Sequence, residues 1–413
     1  MKKERIKRNG RIGSSERIRR TGKPDPFEQI EQIEQGGGAK SGERTGEARK
    51  NRYTGQTAGF LKTMAAAAGI LLGVCALTVY LFDPFYHYHK PWFGLKAVLN
   101  EKEYQVVGSL RRFEYDSVLV GSSVVENNDN AWYDGAFGGT TVKAVRSYGG
   151  IADLVWYLNL AFDAQKVRQV FFNLDPASLT QEAETTFEAS GCPVYLYDDN
   201  PFNDVKYLLN KTVLLEKIPY QIAQSLSRSY NEGLSYNWAE GKDFSENGVL
   251  THYMRKKNAE EMLPAEAKIT QLEANLALLV QVVEGHPETQ FYFFLPPYSM
   301  IWWDDAVRNG LEEVYLYDEE RVAETLLSYD NVRFFDFQNQ AETVTDLNRY
   351  MDTVHFDPQV NYDICQSMAA GECEVTDENL HEVFAETREL VAEYEAVQIP
   401  AYEEAERFLY DTE

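Results

Sequence analysis

Cysteine is scarce in this chain, with four in 413 residues. Cys75 falls inside an apolar run, and Cys192, Cys365 and Cys373 make an odd remainder, so no disulfide framework is implied. A Cys365–Cys373 bridge and a pair of free thiols both stay open. Positive charge is also short: 40 Lys and Arg stand against 65 Asp and Glu, for a net charge of −25. An acidic surface repels phosphates, which argues against nucleic acid as a partner. The shortage is uneven, because residues 1–62 hold sixteen basic and eight acidic side chains, net +8, and the rest carries −33. Apolar clusters are nearly missing from residues 1–59, which are rich in Lys, Arg, Glu and Gln around Gly36-Gly37-Gly38. Such a stretch buries too little surface to offset chain entropy, so 1–59 is expected to be a disordered basic tail. Its role is to fix topology or to touch anionic lipid headgroups.

Charge is absent altogether from residues 63–82, TMAAAAGILLGVCALTVYLF. Twenty such residues match a hydrocarbon core of ~30 Å, and a transmembrane helix is expected over 60–83. Lys62 precedes the run and Asp83-Pro84 follows it, which predicts an amino terminus inside and everything after Asp83 outside. The leader is too long for a cleaved signal peptide, and Val74 before Cys75 does not suit lipoprotein cleavage. A retained single-pass anchor is therefore expected. Residues 84–114 read as a juxtamembrane linker, with Phe85-Tyr86-His87-Tyr88-His89 and Trp92-Phe93 placed as an interfacial aromatic belt. His87 and His89 are spaced to share a metal from an extended segment, though no third ligand is evident.

From residue 115 a strand–helix rhythm begins. Strands are expected at 117–121, 141–146, 167–172, 290–295 and 332–337, each a short apolar run. Helices are expected from Ile151, over 264–284, over 304–328 and from Pro358 to about Met368. This alternation predicts an α/β domain over 115–375 with about five parallel strands and right-handed crossovers. Residues 176–262 break the rhythm and read as an insertion that caps or borders the site. The acidic segment 376–413 is expected to add one or two helices outside the sheet.

The strand ends carry the chemistry. Ser122-Ser123, Gly149-Gly150, Asn173 and Asp175, Tyr298-Ser299, and Asp352 to His355 all follow strands, on the rim where open α/β sheets bind ligands. Acyl transfer by serine needs a base for the hydroxyl proton, an acid to orient the base, and N–H donors for the oxyanion. Ser123 is the candidate nucleophile. His355, the one histidine on that rim, is the candidate base, and Asp352, three residues earlier, is placed to fix its tautomer. Gly149 and Gly150 let a backbone N–H approach a substrate oxygen, and Asn173 is a further candidate donor. Such chemistry needs no metal or diffusible cofactor. Glu126 is read as the start of a helix rather than a second acid, and Trp302-Trp303 as core rather than a sugar platform.

These residues resemble the SGNH/GDSL superfamily of serine esterases and acyltransferases. Gly121-Ser122-Ser123 looks like its first block, Gly149/Gly150 sits where its second places an oxyanion-hole glycine, and Asp352-x-x-His355 looks like its last. The third block is at best Asn173-Leu174-Asp175, and Ser122 stands where an Asp is usual. The tether, Gly121 to Asn127, Asn200-Pro201-Phe202-Asn203-Asp204 and Pro296-Pro297-Tyr298-Ser299 are similar to membrane-anchored bacterial members related to alginate O-acetylation and teichoic-acid modification proteins. The resemblance implies a flavodoxin-like three-layer fold and acyl transfer to, or ester removal from, a cell-envelope glycan. It also implies a multispan membrane acyltransferase as partner. The competing expectation is a non-catalytic glycan-binding or assembly protein of the same shape.

Overall fold

The computed structural model describes residues 42–411. The expected tail lies outside them up to residue 41. From Gly42 the chain is helical, and α1 runs Gly42–Phe82. Residues 42–59, expected to lack structure, extend an apolar helix that has already met the cost of nucleation, and their Ala, Glu, Arg and Lys are good helix formers. Within α1, Thr54–Phe82 is long and apolar enough to cross a membrane, and its most apolar 18 residues reach a mean hydropathy of 2.2. Two compact units divide the chain, one ending at Gly69 and one beginning at Ile70.

The second unit is built on a mostly parallel sheet. Its strands are β1 (Ser117–Gly121), β2 (Thr141–Val145), β3 (Gln169–Asn173), β4 (Met254–Arg255), β5 (Gln290–Leu295), β6 (Val332–Asp336), β7 (Glu374–Val375) and β8 (Leu409–Tyr410). Six of them form one sheet in the order β2-β1-β3-β5-β6-β7, and β4 pairs with β8 separately. All pairs in the large sheet are parallel except β6–β7. Every residue of β1 and β2 is buried, as Val118, Leu119 and Val120 require, so both faces of the sheet are covered. One layer contains α2 (Lys102–Arg112) and α4 (Ile151–Ala164) packed on each other, and α3 (Asn130–Phe137) packs on the helix Pro358–Ala370. The chain leaves β1 outward to β2 and returns to β3 on the other flank. The carboxyl ends of β1 and β3 therefore border a topological switch point, where such sheets hold ligands.

Two elements differ from the sequence reading, the linker and the helix over 304–328, whereas the carboxyl-terminal segment falls within the one or two helices expected. Residues 84–114 are not a linker throughout: α2 buries Val106, Val107 and Leu110 against the sheet. The expected helix over 304–328 is two, Met300–Arg308 and Glu312–Leu327. The break is Gly310, at φ +66° with the Glu261 carbonyl oxygen where a Cβ would stand, so no side chain fits there. The carboxyl-terminal segment is one helix, Leu380–Glu404, followed by β8. Cys365 and Cys373 are both free thiols. His87 and His89 do not converge: His87 Nε2 meets Asp204 at 3.2 Å, whereas His89 bonds the Tyr80 and Lys90 carbonyls.

Candidate active site

β1 ends at Gly121, where a Cβ would stand 2.7 Å from the Asn173 Cβ and press on Val125. The missing side chain lets β3 close against β1 and leaves Ser122 and Ser123 at the sheet edge. A 3₁₀ turn, Ser123–Val125, follows at once. On the far side of the molecule's sequence, residues 350–356 form a tight loop closed by the Tyr350–Phe356 bridge and by Met351 N donating to the His355 carbonyl at 2.9 Å. Two side-chain bonds, with a backbone bond from Ser299 N to the Thr353 carbonyl, pin that loop to the residues that follow β5. Tyr350 Oη donates to the Pro297 carbonyl, and Ser299 Oγ to the Thr353 carbonyl, both at 2.7 Å.

This scaffold brings Ser123, His355 and Asp352 into one hydrogen-bonded series. Ser123 Oγ is 2.7 Å from His355 Nε2, and His355 Nδ1 is 2.7 Å from Asp352 Oδ2. The other carboxylate oxygen of Asp352 accepts from the N–H groups of His355 (2.8 Å) and Val354 (2.9 Å). Burial pushes the Asp352 carboxyl up, but the hydrogen bond from the His355 ring and the two backbone donors outweigh it and hold the group below its ordinary value. An ionised carboxylate only accepts, so Nδ1 carries the ring proton and Nε2 presents a lone pair to the Ser123 hydroxyl.

Two cavities meet at this couple. A polar one of about 420 Å³ is lined by Lys102, Glu126, Ser147, Asn237 and Lys242. A second of about 330 Å³ has an aromatic and aliphatic wall that includes Tyr298, Trp302 and Val354. Ser123, Tyr148 and His355 line both. Tyr148 is exposed and held at φ +56°, a strained backbone for tyrosine, between the two.

The expected oxyanion donors fare differently. Gly149 lines the second cavity, but its N–H donates to the Arg146 carbonyl at 3.0 Å. Gly150 lines neither cavity and caps α4. Asn173 is fully buried behind the site, and its amide donates to Asp175 at 2.8 Å. Among the described residues the N–H groups of Ser123 and Gly150 meet no backbone acceptor, and that of Ser123 lies beside its own hydroxyl. Sequence reasoning set Asn173 on the rim from its place at a strand end, and the side chain turns inward because Gly121 makes room for it.

Further residues line the site, among them Asp175 from the strand end already placed on the rim. Asp175 is a buried carboxylate bonded by Tyr298 Oη, by the Asn173 amide and by the Ser122 side chain, and burial holds its carboxyl above the usual range despite them. Glu126, which caps the 3₁₀ turn and was expected only to start a helix, is buried against Lys102 at 2.6 Å. Burial raises its carboxyl against the pull of Lys102. Trp238 comes from the insertion. Its ring stands perpendicular to the His355 ring at 5.1 Å, and its Nε1 donates to the Ser123 carbonyl at 3.3 Å. Asn127 Oδ1 fixes that wall by accepting from Trp238 N and Ala239 N. Beneath it Lys143 of β2, wholly buried, donates to the carbonyls of Glu126, Asn128 and Ser235 at 2.8, 2.5 and 2.7 Å. One ammonium thus ties the insertion to the turn that carries Ser123.

No protein-family model matches this chain, and a search of curated proteins returns no significant match.

Proposed function

We propose that the chain is a membrane-tethered serine esterase or O-acyltransferase whose α/β domain works outside the cytoplasm. One observation supports this above the rest: the series Ser123 Oγ, His355, Asp352, with both contacts at 2.7 Å, at the junction of two cavities. In the reaction, Ser123 Oγ attacks the ester carbonyl as its proton passes to His355 Nε2. The oxyanion forms beside the Ser123 N–H. Collapse breaks the bond to the alcohol, which takes the proton from His355 and leaves an acyl-Ser123. A second alcohol, or water, then gives its proton to His355 and attacks the acyl carbon. The bond to Ser123 Oγ breaks as that oxygen takes the proton back from His355 Nε2, which restores both groups. Asp352 holds the ring in the required tautomer throughout, and the steps involve no cofactor.

The polar cavity suits sugar hydroxyls, and the cavity walled by Tyr298 and Trp302 suits the acyl side. Together with the resemblance of Gly121-Ser122-Ser123 and Asp352-x-x-His355 to SGNH/GDSL enzymes, this gives a cell-envelope glycan as substrate class. A multispan membrane acyltransferase is the partner that resemblance implies, at a bacterial cell membrane with the amino terminus cytoplasmic. A second reading, a glycan-binding or assembly protein without turnover, draws on the Gly149 N–H and the Asn173 amide being engaged elsewhere. Losing one oxyanion donor costs ~10²–10³ in rate. Turnover of an acetyl ester by the full chain separates the two. The enzyme reading expects activity that vanishes in both Ser123→Ala and His355→Ala, and equal rates in all three proteins would refute it.

A further inference from the structure

The residues that directly follow Phe82 are bonded and packed into the domain. Asp83 ends α1 at φ +37°, and its carboxylate accepts from the N–H groups of His87, Tyr88 and His89 and from Tyr207 Oη. Phe85 and Tyr86 are buried, with the carbonyl of Phe85 against Gly108 of α2, where no side chain fits. The Gln105 amide donates to the Pro84 carbonyl at 2.9 Å and accepts from Asn100 and Glu101 N–H groups, which belong to the rim of the polar cavity. A single side-chain amide therefore connects the second residue after the span to the cleft.

The same junction holds part of the insertion. Asp204 receives Tyr88 Oη at 3.0 Å and faces His87, while Tyr207, on the short helix Val205–Leu208, reaches Asp83. With Asp204 and Tyr207 turned inward, Val205 and Leu209, one helical turn apart, face outward and are exposed. Phe202 beside them is 90 % exposed, Leu215 is 69 % exposed, and Phe93, packed on Phe82 at the end of α1, is 69 % exposed. Residues 205–215, VKYLLNKTVLL, hold Lys206 and Lys211 and no carboxylate, in a chain that carries −33 after residue 62. Apolar side chains interleaved with lysines, bonded to the first residue beyond an apolar span, have the composition of a segment lying at a headgroup boundary.

We propose that Phe93, Phe202, Val205 and Leu209 seat the domain on the bilayer surface, so that its cleft is held at a fixed, short height above the headgroups instead of on a loose tether. The proposal rests on the reading of α1 as a membrane span. The test is photo-crosslinking of the full chain in vesicles of phosphatidylethanolamine and phosphatidylglycerol, with p-benzoylphenylalanine at one position at a time. Phe202→p-benzoylphenylalanine and Leu209→p-benzoylphenylalanine are expected to give lipid adducts by intact mass, and Val397→p-benzoylphenylalanine, exposed on the carboxyl-terminal helix, none. Leu71→p-benzoylphenylalanine reports on the span itself. Adducts at 71 but not at 202 or 209 overturn the seat and leave the span standing. No adduct at any position overturns both. Crosslinks from 202 to a second copy of the chain, or equal lipid adducts at 397, also overturn the seat.

Discussion

Replacing Asp352 by Asn asks the most of the geometry. The amide oxygen keeps the two backbone donors, Val354 N at 2.9 Å and His355 N at 2.8 Å, so the loop retains its form. The amide NH₂ must then occupy the place of Oδ2, 2.7 Å from His355 Nδ1. Two N–H groups cannot share that contact, so the ring proton moves to Nε2. Nε2 then has no lone pair for the Ser123 hydroxyl 2.7 Å away, and general-base catalysis is lost. A wrong tautomer in a serine–histidine couple costs on the order of 10⁴ in rate, or about 5.5 kcal/mol of transition-state stabilisation. The assay is kcat/KM for 4-nitrophenyl acetate with the full chain in detergent, beside a thermal melt. The melt is expected to match wild type and the rate to fall by that factor. A correctly folded Asp352→Asn protein within tenfold of wild type would refute the tautomer argument.

Gly121→Ala places a methyl 2.7 Å from the Asn173 Cβ, both on buried strands. Overpacking of that kind costs ~1–3 kcal/mol, read as a lower denaturation midpoint, and an unchanged midpoint would contradict the close approach of β1 and β3. Lys143→Met leaves the carbonyls of Glu126, Asn128 and Ser235 without their donor. Faster hydrogen exchange is expected at 235–239 and at 126–128 together, and exchange that quickens at neither would show the ammonium is no clamp. Stability is expected to rise as pH falls from 7.5 to 5.5. Burial pushes the Asp336 carboxyl up to about 7, so between ~4 and 7 the folded protein binds more protons than the unfolded chain and is stabilised by acid. For Asp336 alone the step from pH 7.5 to 5.5 is worth about 2 kcal/mol. The buried carboxyls of Asp318 and Glu319 act in the same direction. Lys143, lowered to about 7 by burial, favours the folded state as pH rises above 7 and offsets about 1 kcal/mol. Urea melts at both pH values check the sign, and equal or lower stability at 5.5 would contradict it.

How much of this was legible in the sequence follows from how local each signal is. Val118-Leu119-Val120 and Gln290–Leu295 declare buried strands by themselves, and a strand end predicts the rim, so Ser123 and His355 could be placed without coordinates. The Asp352–His355 spacing sufficed because a three-residue loop decides that contact. The linker reading of 84–114 missed α2 although Val106, Val107 and Leu110 stand at the i, i+1 and i+4 spacing of a helix face; what the sequence does not mark is the close approach of Gly108 to Phe85 that seats it. Trp238 lies 115 positions from the carbonyl it bonds, and the pairing of Tyr298 with Asp175 spans 123 positions. Contacts across such separations have no sequence signature, and they decide the cleft walls. Asn173 shows the converse error: its position at a strand end was read correctly, but the inward turn of its side chain depended on a glycine in the neighbouring strand.

The central claim is that Ser123 is a nucleophile activated by His355. Intact-mass labelling of the full chain with a fluorophosphonate measures this most directly. One adduct is expected, mapped to Ser123, that is lost in Ser123→Ala and strongly slowed in His355→Ala. No adduct on the wild-type protein, or the same adduct on Ser123→Ala, would contradict it.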